Sequence, residues 1–178
     1  MTDELRSRMV AVLPRLRRFA YALTGSAGPG DDLVQETCLR GLSRVDRWPP
    51  GTRPDSWMYR IAQNIWLDRL RANKVRGEVV DIDVVGALPG SDGRVEMDRQ
   101  LTLEAVDTAL GQLPAEQRAI VALVCIEGLS YKEAADITGV PIGTVMSRLA
   151  RARQTLHAIL DDPAPARQAR ATIVKTGT

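Results

Sequence analysis

Arg148 and Arg151 stand three residues apart in "GVPIGTVMSRLARAR" (139–153), each one helical turn beyond a hydroxyl, Thr144 and Ser147. A guanidinium fork hydrogen-bonds in pairs to planar acceptors and to phosphate oxygens. This is recognition chemistry, with no group that breaks a bond. A second set lies upstream, where Trp48, Trp57, Tyr59 and Trp66 surround the polar stripe Arg60, Asn64, Asp68 and Arg71 in a chain only 4% aromatic. Rings beside arginines suit unstacked bases and their phosphates. Rings also fill helical cores, and at least two of these four are expected to do so. A third set is "DDLVQETCLRGL" (31–42), with Asp32, Gln35 and Glu36 facing outward while Val34, Cys38 and Leu42 turn inward. Two explanations stand side by side for it. Asp31 and Asp32 suit a helix N-terminus, with Asp32 and Gln35 as a capping box. The same acidic face also suits docking on a basic protein surface.

Other chemistries find no support. Cys38, Cys125 and the single histidine, His157, share no metal-ligand spacing, so the expectation is two reduced thiols and no metal. No nucleophile–base pair or phosphate-cradling loop points to an enzyme, and no cofactor is expected. The longest apolar run, "AIVALVCI" (119–126), is far too short to cross a bilayer, and "MTDELRSRMV" is no secretory signal. A cytoplasmic protein without membrane insertion is expected. Its net charge of +2 is unevenly spread: residues 1–74 carry 13 Lys/Arg against 8 Asp/Glu, and residues 75–112 carry 3 against 8. A basic front half suits a polyanion partner, with the acidic middle kept clear of it.

The elements that must position these residues read as helices nearly throughout, an all-α chain of two small domains. "LRSRMVAVLPRLRRFAYAL" has apolar spacings of three and four, with Pro14 as a kink or break. "TGSAGPG" (24–30) reads as a turn before a helix opened by Asp31 and Asp32, and "RWPPGTRPD" (47–55) as a loop before a third long helix. Residues 1–74 thus form one bundle. Periodicity fails over 75–97, a linker that leaves the domains free to move, although "EVVDIDVV" has the composition of a short strand. Helical spacing resumes over 98–160, and 161–178 reads as a mobile tail. Within the second domain Gly139 supplies a tight interhelical turn and Ala135 a close approach. Ile142, Val145, Leu149, Ala152 and Leu156 form the buried stripe of the second helix. The opposite face shows Gly143, Ser147, Ala150, Arg151 and Gln154. Short side chains there let such a helix enter a DNA major groove.

The order and spacing of "DDLVQETCLRGL", "WMYRIAQNIWLDRLR" and "LPAEQRAIVALVCIEGLSYKEAADITGVPIGTVMSRLARAR" resemble the extracytoplasmic-function (ECF) sigma factors of bacterial RNA polymerase, over about residues 8–160. The resemblance implies a dissociable polymerase subunit that selects promoters, with sigma region 2 in the first domain and region 4 in the second. It implies that Asp32, Leu33, Gln35 and Glu36 contact the clamp helices of the core polymerase. Trp48, Tyr59, Arg60 and Asn64 would meet the minus-10 element, in which the first two and Asn64 hold unstacked bases. Thr144, Ser147, Arg148 and Arg151 would meet duplex minus-35 DNA, with the second domain against the polymerase flap. It also implies an anti-sigma factor as inhibitor. Met146 and Ala150 depart from the basic and bulky residues of many relatives, so the minus-35 preference is this chain's own, and the proline-rich loop leaves the minus-10 preference open. The rival readings are a stand-alone helix-turn-helix regulator and a protein-interaction adaptor.

Overall fold

The computed structural model describes residues 2–49, 51–77 and 105–161, and no strand occurs among them. In α1 (Thr2–Thr24), Met9, Val12, Leu16, Phe19 and Leu23 recur at steps of three and four and line the side that is buried. Pro14 lies inside this helix, on its exposed side, without breaking it; lacking an N–H, it leaves one intrahelical hydrogen bond unmade.

The turn to α2 is shorter than the sequence suggests. Only Gly25, at φ 76°, and Ser26 separate the helices, and α2 spans Ala27–Ser43. Pro29 fits the first turn, where backbone N–H groups have no intrahelical acceptor. Asp31 and Asp32 therefore stand past the first turn, the N-cap is Ser26, and the capping box between Asp32 and Gln35 does not form. The buried face of α2 is Gly30, Leu33, Thr37 and Gly41, one residue out of phase with Val34, Cys38 and Leu42. Leu42 is exposed, and the other two are half-buried. The glycines set this phase. A Cβ on Gly30 would sit 2.2 Å from the Tyr21 ring, and one on Gly41 2.8 Å from the Met9 methyl.

A single 3-10 turn, Val45–Arg47, leads into the loop before α3 (Pro54–Arg76). Pro54 opens α3, and Gly77, left-handed at φ 71°, closes it. The helix outruns the expected domain end at 74 by two residues. Beyond it, residues 78–97 of the linker, with "EVVDIDVV", lie outside the described residues, as do 98–104 and most of the tail, 162–178. Helices α1, α2 and α3 pack on one another as a three-helix bundle.

The second domain holds α4 (105–111), α5 (Ala115–Val121), a π-helical continuation (Ala122–Ile126), α6 (Tyr131–Thr138) and α7 (Ile142–Asp161). The domains are not apart. Helix α6 packs on α3, and α5 with its π segment packs on α1, so one continuous apolar core includes Leu16, Tyr59, Ile120, Leu123 and Leu129. The polar groups at this junction decide what the candidate site can reach.

Candidate nucleic-acid interface

The α6–α7 hairpin is built by local chemistry. The Ser130 hydroxyl accepts from the Glu133 N–H at 3.2 Å, and the Glu133 carboxylate accepts from the Ser130 N–H at 2.8 Å. This reciprocal cap starts α6. Gly139, at φ 69°, ends it, with its N–H donating to the Ala135 carbonyl at 2.9 Å. Ala134 and Ile137 are the residues buried on α6, whereas Ala135 is half-buried. Helix α7 buries Val145, Leu149 and Ala152. The expected stripe is shorter than its sequence pattern: Leu156 is half-buried, and Ile142, the first residue of α7, is 50% exposed.

The outward face of α7 is open, with Gly143, Met146, Ser147, Ala150, Arg151 and Gln154 all exposed. Thr144 and Arg148 are half-buried at its flank. An Arg148 guanidinium nitrogen lies 3.8 Å from the Glu116 carboxylate on α5, while the Arg151 guanidinium has no partner among the described residues. The two arginines are thus unlike. One is leaned on a carboxylate, and the other is free to reach.

The first-domain residues are differently placed. Trp48 is half-buried; its indole donates to the Thr52 carbonyl at 3.0 Å, and its ring lies 4.9 Å from that of Trp57. Trp57, Tyr59 and Trp66 are buried, three of the four rings. Asn64 and Arg60 are exposed, although the Arg60 guanidinium donates to the Asp136 carbonyl across the domain junction. Tyr59 is 0% exposed, and its hydroxyl donates to the Glu127 carboxylate at 2.7 Å. Burial and that carboxylate push the phenol well above its ordinary pKa.

Glu127 is the residue that sequence reasoning missed. Its carboxylate accepts from Arg18 at 2.8 and 3.0 Å and from Arg15 at 3.3 Å, besides Tyr59. Nearby, buried Asp55 accepts from Arg15 at 3.0 Å and from Arg53 at 2.5 Å, and Arg53 donates onward to Glu133 at 2.8 Å. Buried Arg118 donates to the Ala22 carbonyl at 2.6 Å, and burial lowers its pKa to about 10. The one hint in the sequence is an acid that directly follows the apolar run "AIVALVCI".

On α2 the four expected contact residues divide. Asp32 and Gln35 are exposed beside a groove lined by Leu13, Pro14 and Arg17. Leu33 is fully buried, so it fixes the helix and presents nothing. Glu36 is half-buried and joins α2 to α3, accepting from Arg69 at 2.5 Å and pairing with Arg40 at 2.6 Å. The Arg69 hydrogen bond holds its carboxyl below the ordinary range.

Known proteins match both domains. Residues 9–76 match the Sigma-70 region 2 family, and residues 103–156 match Sigma-70 region 4. An ECF RNA polymerase sigma factor, EcfG of Rhodopseudomonas palustris (strain TIE-1), is 39% identical over 165 residues, 90% of this chain and 87% of that protein. The chain belongs to the ECF sigma factor family. This sigma factor is also 40% identical to SigE of Mycolicibacterium smegmatis over 80% of its own length and 56% of that relative. Its fold matches the sigma factor RpoE of Bartonella quintana, solved in complex with the anti-sigma factor NepR, at a TM-score of 0.72 and 29% identity. That match covers 89% of this chain and 97% of the other. As a member of the family, the sigma factor directs core RNA polymerase to promoters and initiates transcription. No helix among its described residues is long and apolar enough to cross a membrane.

Proposed function

We propose that the sigma factor docks on the core polymerase through Asp32 and Gln35, reads duplex minus-35 DNA with α7, and holds melted minus-10 bases with Trp48 and Asn64, whereas Tyr59, fully buried and donating to Glu127, stands in the core. The observation that carries the reading is the α7 face, where Gly143, Ser147 and Ala150 lie beside the exposed Arg151 guanidinium. A helix with so few side-chain atoms outward fits a groove about 12 Å wide. Glu36 and Leu33 hold α2 in place under the docking residues, and the second domain rests against the flap. The boundaries 1–74, 75–97, 98–160 and 161–178 remain our division of the chain, with α3 carried on to Arg76. The protein acts in the cytoplasm, without catalysis of its own, and an anti-sigma factor holds it inactive, as the B. quintana relative is bound by one.

Arg151, without a partner among the described residues, is assigned to a base edge, and Arg148, leaned on Glu116, to a phosphate. Transcription by the reconstituted holoenzyme on promoter variants tests both. Arg151→Ala should relax preference at one minus-35 position, by the ~1–3 kcal/mol of a bidentate arginine–guanine contact. Arg148→Ala should weaken all sequences alike and lower the salt slope by roughly one. Two variants indistinguishable from the parent would make α7 a scaffold. For the minus-10 assignment, Asn64→Ala should reduce permanganate reactivity of the bubble and spare duplex minus-35 binding.

A further inference from the structure

Ile142 and Met146 are large apolar side chains left 50% and 52% exposed on α7. Four residues apart, they stand one above the other on the helix, and exposed Ala150 continues the row. This row borders the outward face on the side away from Thr144, Arg148 and Arg151. The two flanks of α7 are therefore unlike, one apolar near its start and the other polar and cationic. Met146 and Arg151 lie about 140° apart round the helix and about 7.5 Å apart along it, so they face different base pairs.

Nothing within the described chain accounts for this arrangement. Neither Ile142 nor Met146 belongs to the hydrophobic core or packs against it. Gly143, between them in sequence, is a second and independent observation. Its backbone is not left-handed, and a Cβ there would meet nothing within 4 Å. Neither packing nor conformation requires a glycine at this place, and glycine weakens a helix. An absent side chain with open space around it suits the close approach of something outside the chain. Met146 beside it is unbranched and adapts to the surface it meets, but it has no donor for a phosphate. In a major groove the apolar group that distinguishes one base from the others is the thymine 5-methyl.

We propose that Met146 sets a preference for thymine at one position of the minus-35 element, by packing its thioether side chain on the 5-methyl group. Ile142 keeps water from that contact, and Gly143 lets the start of α7 come close enough to make it. The proposal rests on the reading of α7 as the minus-35 helix, and it divides that reading between two base pairs. Arg151 takes a guanine edge, and Met146 takes a thymine nearer the start of the helix. A lysine or arginine in place of Met146 would seek a guanine or a phosphate instead. Because the methyl is what is read, uracil, which keeps the hydrogen-bonding groups of thymine and lacks the methyl, is a poor substitute for it.

The test offers reconstituted holoenzyme a pool of promoter duplexes with a randomised minus-35 segment and sequences those retained. Thymine should be enriched at one position where Met146→Ala shows no preference. The guanine preference that Arg151→Ala loses should persist in Met146→Ala. In the best-retained duplex, uracil in place of that one thymine should weaken binding about fourfold, the worth of one methyl-sized apolar group. Met146→Ala should bind the thymine and uracil duplexes equally, and Met146→Leu should restore the difference. Met146 is half exposed, so both variants keep the fold. Gly143→Ala should weaken both duplexes without lowering the melting temperature; unchanged binding overturns the close approach. A parent that enriches no thymine, or that binds thymine and uracil duplexes equally, overturns the proposal, as does a difference that survives in Met146→Ala. A wrong reading of α7 looks different: Arg151→Ala and Met146→Ala then both retain the parent's sequences.

Discussion

Asp32, Leu33 and Glu36 lie within five residues and do three different things. Leu33 is core, Glu36 ties α2 to α3, and Asp32 is left facing solvent with no cap to make. The two explanations for the acidic stretch are thereby separated, because a carboxylate beyond the first turn gives the helix start nothing. Asp32→Ala with Gln35→Ala should lower affinity for core polymerase while stability stays within ~0.5 kcal/mol, as for exposed positions. Leu33→Ala should instead cost ~2–5 kcal/mol and lose binding through the fold. Paired measurement of core affinity and thermal melting distinguishes them. Glu36 adds a pH dependence. Its folded pKa lies below the ordinary 4.5, so its contribution is present above pH 4.5 and is lost as pH falls through the folded value. The urea midpoint should fall in that acid window, and Glu36→Gln should flatten the fall.

The helices themselves were largely legible, and their phases less so. Steps of three and four found α1 and α7, because each buries one stripe, while a narrow polar stripe marks α3, which is buried nearly all round it. The glycine turn found the hairpin, because only a left-handed residue closes it. Helix α2 was misjudged by one residue and started too late. "GPG" reads as a turn, whereas Pro29 fits a first helical turn and Gly30 is there to admit the Tyr21 ring. A glycine chosen for contact leaves no apolar mark in a periodicity. The consequence is measurable: Gly30→Ala should destabilise by ~1–3 kcal/mol, despite alanine's better helix propensity, because the ring must move. A gain in melting temperature would show that Tyr21 yields freely. On α7 the residue that periodicity misplaces is Ile142, apolar and in register but half exposed at the first position of the helix.

For the whole molecule the sequence suggested two domains on a linker, and the structure has two domains that also pack on each other. No local pattern reports that packing, since Tyr59 and Glu127 are 68 residues apart and each looks ordinary among its neighbours. The burial of Tyr59 likewise draws on both domains, with its ring against Phe19 of the first and its hydroxyl on Glu127 of the second. A sigma factor cut once between residues 77 and 105 should therefore still elute as a single species in low salt. It should split into two when Glu127→Gln is introduced. Separate fragments from the unsubstituted chain would count against the packed arrangement. The π-helical turn Ala122–Ile126 immediately precedes Glu127, whose N–H donates to the Ala122 carbonyl at 3.0 Å, five residues back. Such a turn holds one residue more than an α-helical one. Deleting that residue would leave an unbroken helix and swing Glu127 by about 100°. A change of one residue in length, which the helix itself would absorb, would thus carry Glu127 away from Arg15, Arg18 and Tyr59 and undo the junction they make.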